Sequence, residues 1–266
     1  MTCFDGAASV GGGREGCQIV PARESKNAAK AAFIEARSVR KSFDGVPVLD
    51  GVSMRVSGSE TVSILGPSGC GKSTLMNIIT GLIPADGGDI CFAGRIGYMQ
   101  QKDMLLPWKT IMANVTLPRI IGGADRREAE AEASPYFEMF GIEGYENKYP
   151  RELSGGMRRR ASFLSAFLIS GDVMLLDEPF GALDSITRGR MQRWLIDVKR
   201  KVGVAIMLIT HDVEEAILLS DRVYLMSDKP SRVRDEIEVD FFADEKSRRL
   251  LSPEFMEYKK RILDSL

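Results

Sequence analysis

The sequence is short of several features that would settle its class at once. Its four cysteines, Cys3, Cys17, Cys70 and Cys91, show no pairwise metal-ligand spacing. They read as reduced thiols of a cytosolic protein, which excludes a disulfide framework and a cysteine-bound zinc site. Charge of one sign is missing too: 36 lysines and arginines stand against 37 aspartates and glutamates, for a net charge of −1. A general nucleic-acid surface is therefore not expected. No stretch approaches the roughly 18 apolar residues of a membrane span, and the N-terminus lacks the apolar core of a secretory signal. The expectation is a soluble chain that meets a membrane only through a partner. What remains is ordinary globular composition, 44% hydrophobic and 27% charged over 266 residues, enough for one large domain or two small ones.

Residues 1–32 carry Gly11-Gly12-Gly13, several alanines and mixed charges without apolar periodicity, and read as a disordered extension. From Phe33 to Val39, and again from Val52 to Val56, apolar and polar residues alternate as in antiparallel strands with one wet face. Thr61–Leu65 is a short β-branched run, and the spacing after it predicts a helix from Thr74 to Ile79. Val173–Leu176 and Ala205–Ile209 read as buried strands separated by an amphipathic stretch, Arg188 to Lys201. Strands alternating with helices predict an α/β fold with a mostly parallel sheet covered on both faces. Residues 102–167 are helix-like, with breaks expected near Pro118, Gly122-Gly123 and Pro150. A last strand, Arg234 to Phe241, and an amphipathic helix after Pro253 close residues 33–266, and no internal repeat is visible.

Gly66-Pro67-Ser68-Gly69-Cys70-Gly71-Lys72-Ser73-Thr74 matches the nucleotide phosphate loop and lies between a buried strand and a helix. Its glycines allow backbone N–H groups to turn around a β-phosphate, and the helix N-terminus adds partial positive charge. Lys72 reaches the β- and γ-phosphates of ATP and Ser73 ligates Mg²⁺. A thiol reagent at Cys70 is expected to block this loop. By itself the loop does not separate transport ATPases from kinases, GTPases or helicases.

Val173 to Leu176 ends in Asp177-Glu178-Pro179, and strand alternation sends the two carboxylates in different directions. Asp177 suits Mg²⁺ and Glu178 suits polarising a water for attack on the γ-phosphate. Leu153-Ser154-Gly155-Gly156-Met157 opens another helix with a hydroxyl and bare amides, a second anion-binding end. Together these segments closely resemble the ATP-binding cassette family, over Phe33 to about Met226.

That resemblance implies a phosphate-loop ATPase fold with a RecA-like sheet, an antiparallel β subdomain and a helical subdomain. It implies two copies sandwiching two ATP molecules, with Ser154, Gly155 and Gly156 serving the partner's nucleotide, so that a lone chain is nearly inactive. Phe43 would stack on adenine, and Gln101, with Gln100 the adjacent alternative, would link Mg²⁺ to the transporter. Asp184 in Ala182-Leu183-Asp184 would belong to the inter-subunit loop, and His211 would contact the γ-phosphate. The implied partners are a transmembrane permease and, through it, an extracytoplasmic solute-binding protein. The implied location is the cytoplasmic face of the membrane. A soluble cassette ATPase of DNA repair or translation is the competing class, although such relatives usually carry a long coiled coil or paired cassettes.

Arg158, Arg159 and Arg160 stand where many relatives carry glutamines before a last arginine, and Ser165 stands where they carry an arginine. The run reads as a solvated helix face. Leu105-Leu106-Pro107-Trp108 with Asn114-Val115 resembles the nitrate, sulfonate and taurine importers. Met191 to Leu195 and Leu219 to Tyr224 look more like the subgroup for thiamine precursors such as hydroxymethylpyrimidine. Trp108 is equally readable as a core aromatic.

Overall fold

The computed structural model describes residues 19–21, 32–170, 172–181, 183–240 and 252–265. Ten strands are described: β1 Ile19–Pro21, β2 Ala32–Phe43, β3 Val46–Ser57, β4 Thr61–Leu65, β5 Gly87–Phe92, β6 Ile96–Met99, β7 Val173–Asp177, β8 Ala205–Ile209, β9 Arg222–Met226 and β10 Val233–Glu238. The α-helices are α1 Lys72–Ile79, α2 Ile111–Ile121, α3 Arg126–Met139, α4 Gly155–Ser170, α5 Ser185–Val202, α6 Val213–Leu219 and α7 Pro253–Ser265.

One sheet has the order β10-β9-β4-β8-β7-β6, parallel throughout except for the β10–β9 edge. Its central strands β4, β7 and β8 are buried end to end because both faces are covered. The period-two alternation sorts their side chains into two cores. Val62, Ile64, Val173, Leu175, Ala205, Met207 and Ile209 face α1 and the antiparallel sheet. Met174, Leu176, Ile206, Leu208, Val223 and Leu225 face the opposite way, with Phe163, Leu195, Ile217 and Phe255 of the helices. The second sheet has the order β1-β5-β2-β3 and lies over α1.

Three expectations change in detail. Strand β1 lies inside the segment read as a structureless extension and pairs in parallel with Ile90–Phe92; the rest of residues 1–31 lies outside the described residues. Pro118 does not break its segment: α2 carries it three residues before its end. The helix stops instead where Gly122 and Gly123 close the last turn on the Pro118 and Ile120 carbonyls. Strands β5 and β6 were not readable because each is short and only partly buried. Strand β10 ends at Glu238, and Phe241 lies outside the described residues.

Candidate active site

All the parallel strands point their carboxyl ends toward one edge, where ligands of open α/β sheets bind. Strand β4 delivers the phosphate loop there. Gly66 passes so close to β9 that a Cβ would sit 2.8 Å from the Met226 carbonyl. Gly71 caps α1 at φ 118°, and a Cβ on it would lie 2.8 Å from Leu49 and 2.9 Å from Val48. Only glycine satisfies both the left-handed backbone and the close approach. The Ser231 hydroxyl donates to the Cys70 carbonyl, and Cys70 N–H donates to Pro67 O at 3.3 Å. Lys72 is 6% exposed, and its Nζ donates to the carbonyls of Gly66 at 2.7 Å and Pro67 at 2.8 Å. Ser68, Gly69 and Ser73 are exposed around this folded-in ammonium, and Thr74 is half-buried. Cys70 is 2% exposed, so alkylation of this thiol requires the loop to open first.

Strand β7 delivers the two carboxylates, and they do diverge. Asp177 is 5% exposed and turns toward α1. Burial pushes its carboxyl up, a hydrogen bond from Ser73 opposes this, the Glu178 charge adds to it, and Lys72 and the Tyr98 hydroxyl oppose it again. Burial likewise raises the Tyr98 phenol. Glu178 turns the other way, at φ 43°, a conformation that costs energy for a residue with a Cβ. Its N–H donates to Ile209 O at 3.0 Å, its Oε2 accepts from Gln101 Nε2 at 2.9 Å, and its Oε1 lies 3.4 Å from His211 Nδ1. Of the two neighbouring glutamines, Gln101 is the one that reaches Glu178. His211 projects from the turn after β8 because its neighbours are used structurally: the Thr210 hydroxyl meets Glu215, and Asp212 caps α6. The arrangement places a lysine, two carboxylates, an amide and an imidazole at one sheet edge, a set suited to binding a phosphate chain and directing a water onto it.

Residues 49–181 match the family described as ABC transporter. The chain is 49% identical over 195 residues to a formylaminopyrimidine import ATP-binding protein, ThiZ, of Halalkalibacterium halodurans, covering 73% of this chain and 78% of that one. The chain belongs to the ATP-binding cassette transporter family. It is an ATPase of that family. To the taurine import ATP-binding protein TauB of Rhizobium johnstonii it is 40% identical over 230 residues, 82% of this chain and 88% of that one. Among solved structures, the dimeric bacterial ABC transporter cassette MJ0796 superimposes with a TM-score of 0.68 at 28% identity, covering 79% of this chain and all of that one. Among the described residues, no helix is long and apolar enough to cross a membrane.

The remaining cassette positions sit at the head of α4, at the head of α5 and at the end of β2. Ser154 is exposed, and its hydroxyl accepts from Met157 N–H at 3.3 Å in its own helix. Gly155 is exposed, and a Cβ on Gly156 would lie 3.2 Å from Thr187 of α5. Asp184 caps α5 through the Ile186 and Thr187 N–H groups, and hydrogen bonding to Thr187 holds its carboxyl below the usual range. Phe43, at the end of β2, is 44% exposed and therefore no core aromatic; Lys41 Nζ sits 5.4 Å from its ring centre. Trp108, read as a possible core residue, is 71% exposed.

The arginine run is not a solvated face. Arg158 pairs with Asp103 and donates to Leu153 O, while Arg160 lies 5.5 Å above the Trp194 ring and donates to Gly141 O. Arg159 is buried and donates to the carbonyls of Gln101 and Glu178. A signal was present: Arg159, Ser162, Phe163 and Ala166 follow the i, i+3, i+4, i+7 spacing of one helix face, and all four are buried. Tyr98 was missed as well, although alternation along β6 places it on the α1 side, where its hydroxyl also meets Asn77 at 3.3 Å.

Proposed function

We propose that this chain is the ATP-hydrolysing subunit of an importer for a small organic solute, working as a head-to-tail pair beneath a separate transmembrane permease. The observation that carries the reading is the Gln101–Glu178–His211 cluster beside Lys72 and Asp177, in a chain that covers most of two import ATP-binding relatives. The alternative, a soluble clamp ATPase, has no such support from those relatives.

Lys72 binds the β- and γ-phosphates after releasing the Gly66 and Pro67 carbonyls. Phe43 stacks on the adenine. Glu178 accepts the proton of the attacking water as it adds to the γ-phosphorus, and the bond to the β-γ bridging oxygen breaks to leave ADP and phosphate. Gln101 and His211 orient the Glu178 carboxylate and the γ-phosphate. A buried Asp177 carboxylate beside the Ser73 hydroxyl fits an oxygen-liganded Mg²⁺, which ordinarily takes one or two protein oxygens and completes its shell with phosphates and water. When bound, the ion offsets phosphate charge.

Ser154, Gly155 and Gly156 supply the second phosphate contact to the partner's ATP, with Asp184 next to them at the junction. The permease meets the segment after Gln101, where Met104 is 67% exposed and Trp108 71%. Asn114 pins that segment by bonding Leu106 N–H and the carbonyls of Leu106, Lys109 and Thr110. On this reading the chain works at the cytoplasmic face of the membrane, with a solute-binding protein on the other side. The 49% relative favours an aminopyrimidine over a sulfonate as the first solute to try.

The test is capture of Glu178→Gln with ATP from detergent-solubilised native membranes, followed by mass spectrometry. A multi-span protein with a solute-binding companion supports the importer. Recovery of soluble or DNA-bound proteins alone transfers the reading to the clamp class.

A further inference from the structure

Arg159 is the one charged side chain of α4 that the fold buries, at 6% exposure; its neighbours Arg158 and Arg160 stay half-exposed. Burying a guanidinium is costly unless its donors are used. Arg159 uses Nη2 on main-chain carbonyls alone, that of Gln101 and, at 3.5 Å, that of Glu178. Those carbonyls belong to two segments 77 residues apart whose side chains bond each other across the site. The Glu178 peptide is also the strained one, at φ 43°, and a strained peptide persists only where its surroundings hold it. Burial works against the Arg159 charge, and the Asp103 and Asp177 carboxylates act in its favour.

The other terminal nitrogen, Nη1, is buried without a hydrogen-bond partner. Orphan buried donors are rare in native proteins. Here the orphan belongs to the same guanidinium that holds the Gln101 and Glu178 carbonyls, so the group keeps a spare donor for a second arrangement of those two segments. Arginine suits the place better than a neutral amide because it never loses its charge, and one of its terminal nitrogens reaches both carbonyls.

We propose that Arg159 is a positioning residue for hydrolysis, fastening the Gln101 segment and the Glu178 peptide to the helix that begins at Ser154–Gly156. The water-polarising carboxylate is then set by where α4 stands, and contact at the head of α4 reaches the chain's own Glu178. The inference rests on the role assigned to Glu178 above.

The test compares full-length wild type with Arg159→Met, Arg159→Lys and Glu178→Gln, measuring ATP Kd, kcat, melting and amide hydrogen exchange. Arg159→Met should keep its ATP Kd within about twofold and lose at least about tenfold in kcat. Exchange should quicken across residues 101–103 and 178–181 while residues 72–79 stay as in wild type. Arg159→Lys should fall between, because it keeps the charge on a shorter side chain that reaches the two carbonyls less well. A folded Arg159→Met with wild-type kcat overturns the proposal. So does a kcat loss matched by weaker ATP binding and uniformly faster exchange, which marks a merely structural residue. If Arg159→Met does not fold, Arg159→Lys decides: a kcat lowered by about threefold or more at unchanged Kd supports the latch, and an undiminished kcat refutes it. Continued hydrolysis by Glu178→Gln strikes the functional reading itself, whereas an inactive Glu178→Gln beside a fully active Arg159→Met strikes the latch alone.

Discussion

Two helices begin on glycine-rich turns, and their first residues meet opposite surroundings. At the head of α1, Gly71 presses on Val48 and Leu49, Cys70 is held by Ser231, and Lys72 is buried on two carbonyls. At the head of α4, Ser154 and Gly155 are exposed, and the Ser154 hydroxyl serves only Met157 of its own helix. Both ends offer backbone N–H groups and a positive dipole. The first is enclosed by its own chain and has every neighbour that phosphate binding needs. The second has the donors without the enclosure, which is the form of a half-site completed by another copy. An exposed helix end next to a capped inter-helix loop at Asp184 is therefore informative as an interface, while the buried end is informative as chemistry.

The largest break in this comparison falls on the enclosed side. Glu178→Gln should lower kcat by about a thousandfold or more while ATP Kd changes by less than about threefold, because the amide no longer takes the water's proton. Unaltered turnover would remove Glu178 from the reaction. Next comes a cross between the two ends: a Ser154→Arg variant and a Lys72→Ala variant, each nearly inactive alone, should regain about a quarter of wild-type rate when mixed. Half the pairs are then mixed and each carries one intact site. Confirmed mixed pairs without recovery would show that both ends act within one chain.

Gly71→Ala sharpens the comparison structurally. It places a Cβ into Leu49 and Val48 at a positive φ and should cost about 2–3 kcal/mol, whereas Gly155→Ala, whose nearest neighbours stand at 3.9 Å, should leave the melting temperature almost unmoved. Equal losses in calorimetry would erase the distinction. The smallest effect is on Asp177. Its carboxyl is raised in the fold, so the folded chain holds that proton more tightly than the unfolded one. The charged group weakens the fold at neutral pH, and this penalty fades as pH falls through the raised value. Asp177→Asn should raise the melting temperature at pH 7 by about 2–4 °C, with a smaller gain in acid, while turnover is lost.

How much of this was legible depended on whether residue type or tertiary packing decided each position. The phosphate loop could be read because its glycines answer local demands: a left-handed φ at Gly71 and a close strand approach at Gly66. Asp177 and Glu178 were legible because strand alternation alone separates them. Arg159 was misread because three adjacent arginines suggest solvent, and only the spacing to Ser162, Phe163 and Ala166 reveals the buried face. Cys70 shows the reverse, since its place in a ligand loop suggests access, yet the fold leaves it only 2% exposed. Strands such as β5 and β6 are too short and too partly buried to stand out from the loops around them, and they pair with β2 and β7 respectively.

The central claim is that ATP joins two copies, each completing the other's site. The mass of Glu178→Gln in solution, followed by sedimentation at fixed chain concentration with ATP and then with ADP, tests it most directly. The account predicts a doubling of mass with ATP alone, lost on Ser154→Arg. A chain that stays monomeric at saturating ATP, or one that pairs equally well with ADP and with Ser154→Arg, would contradict it.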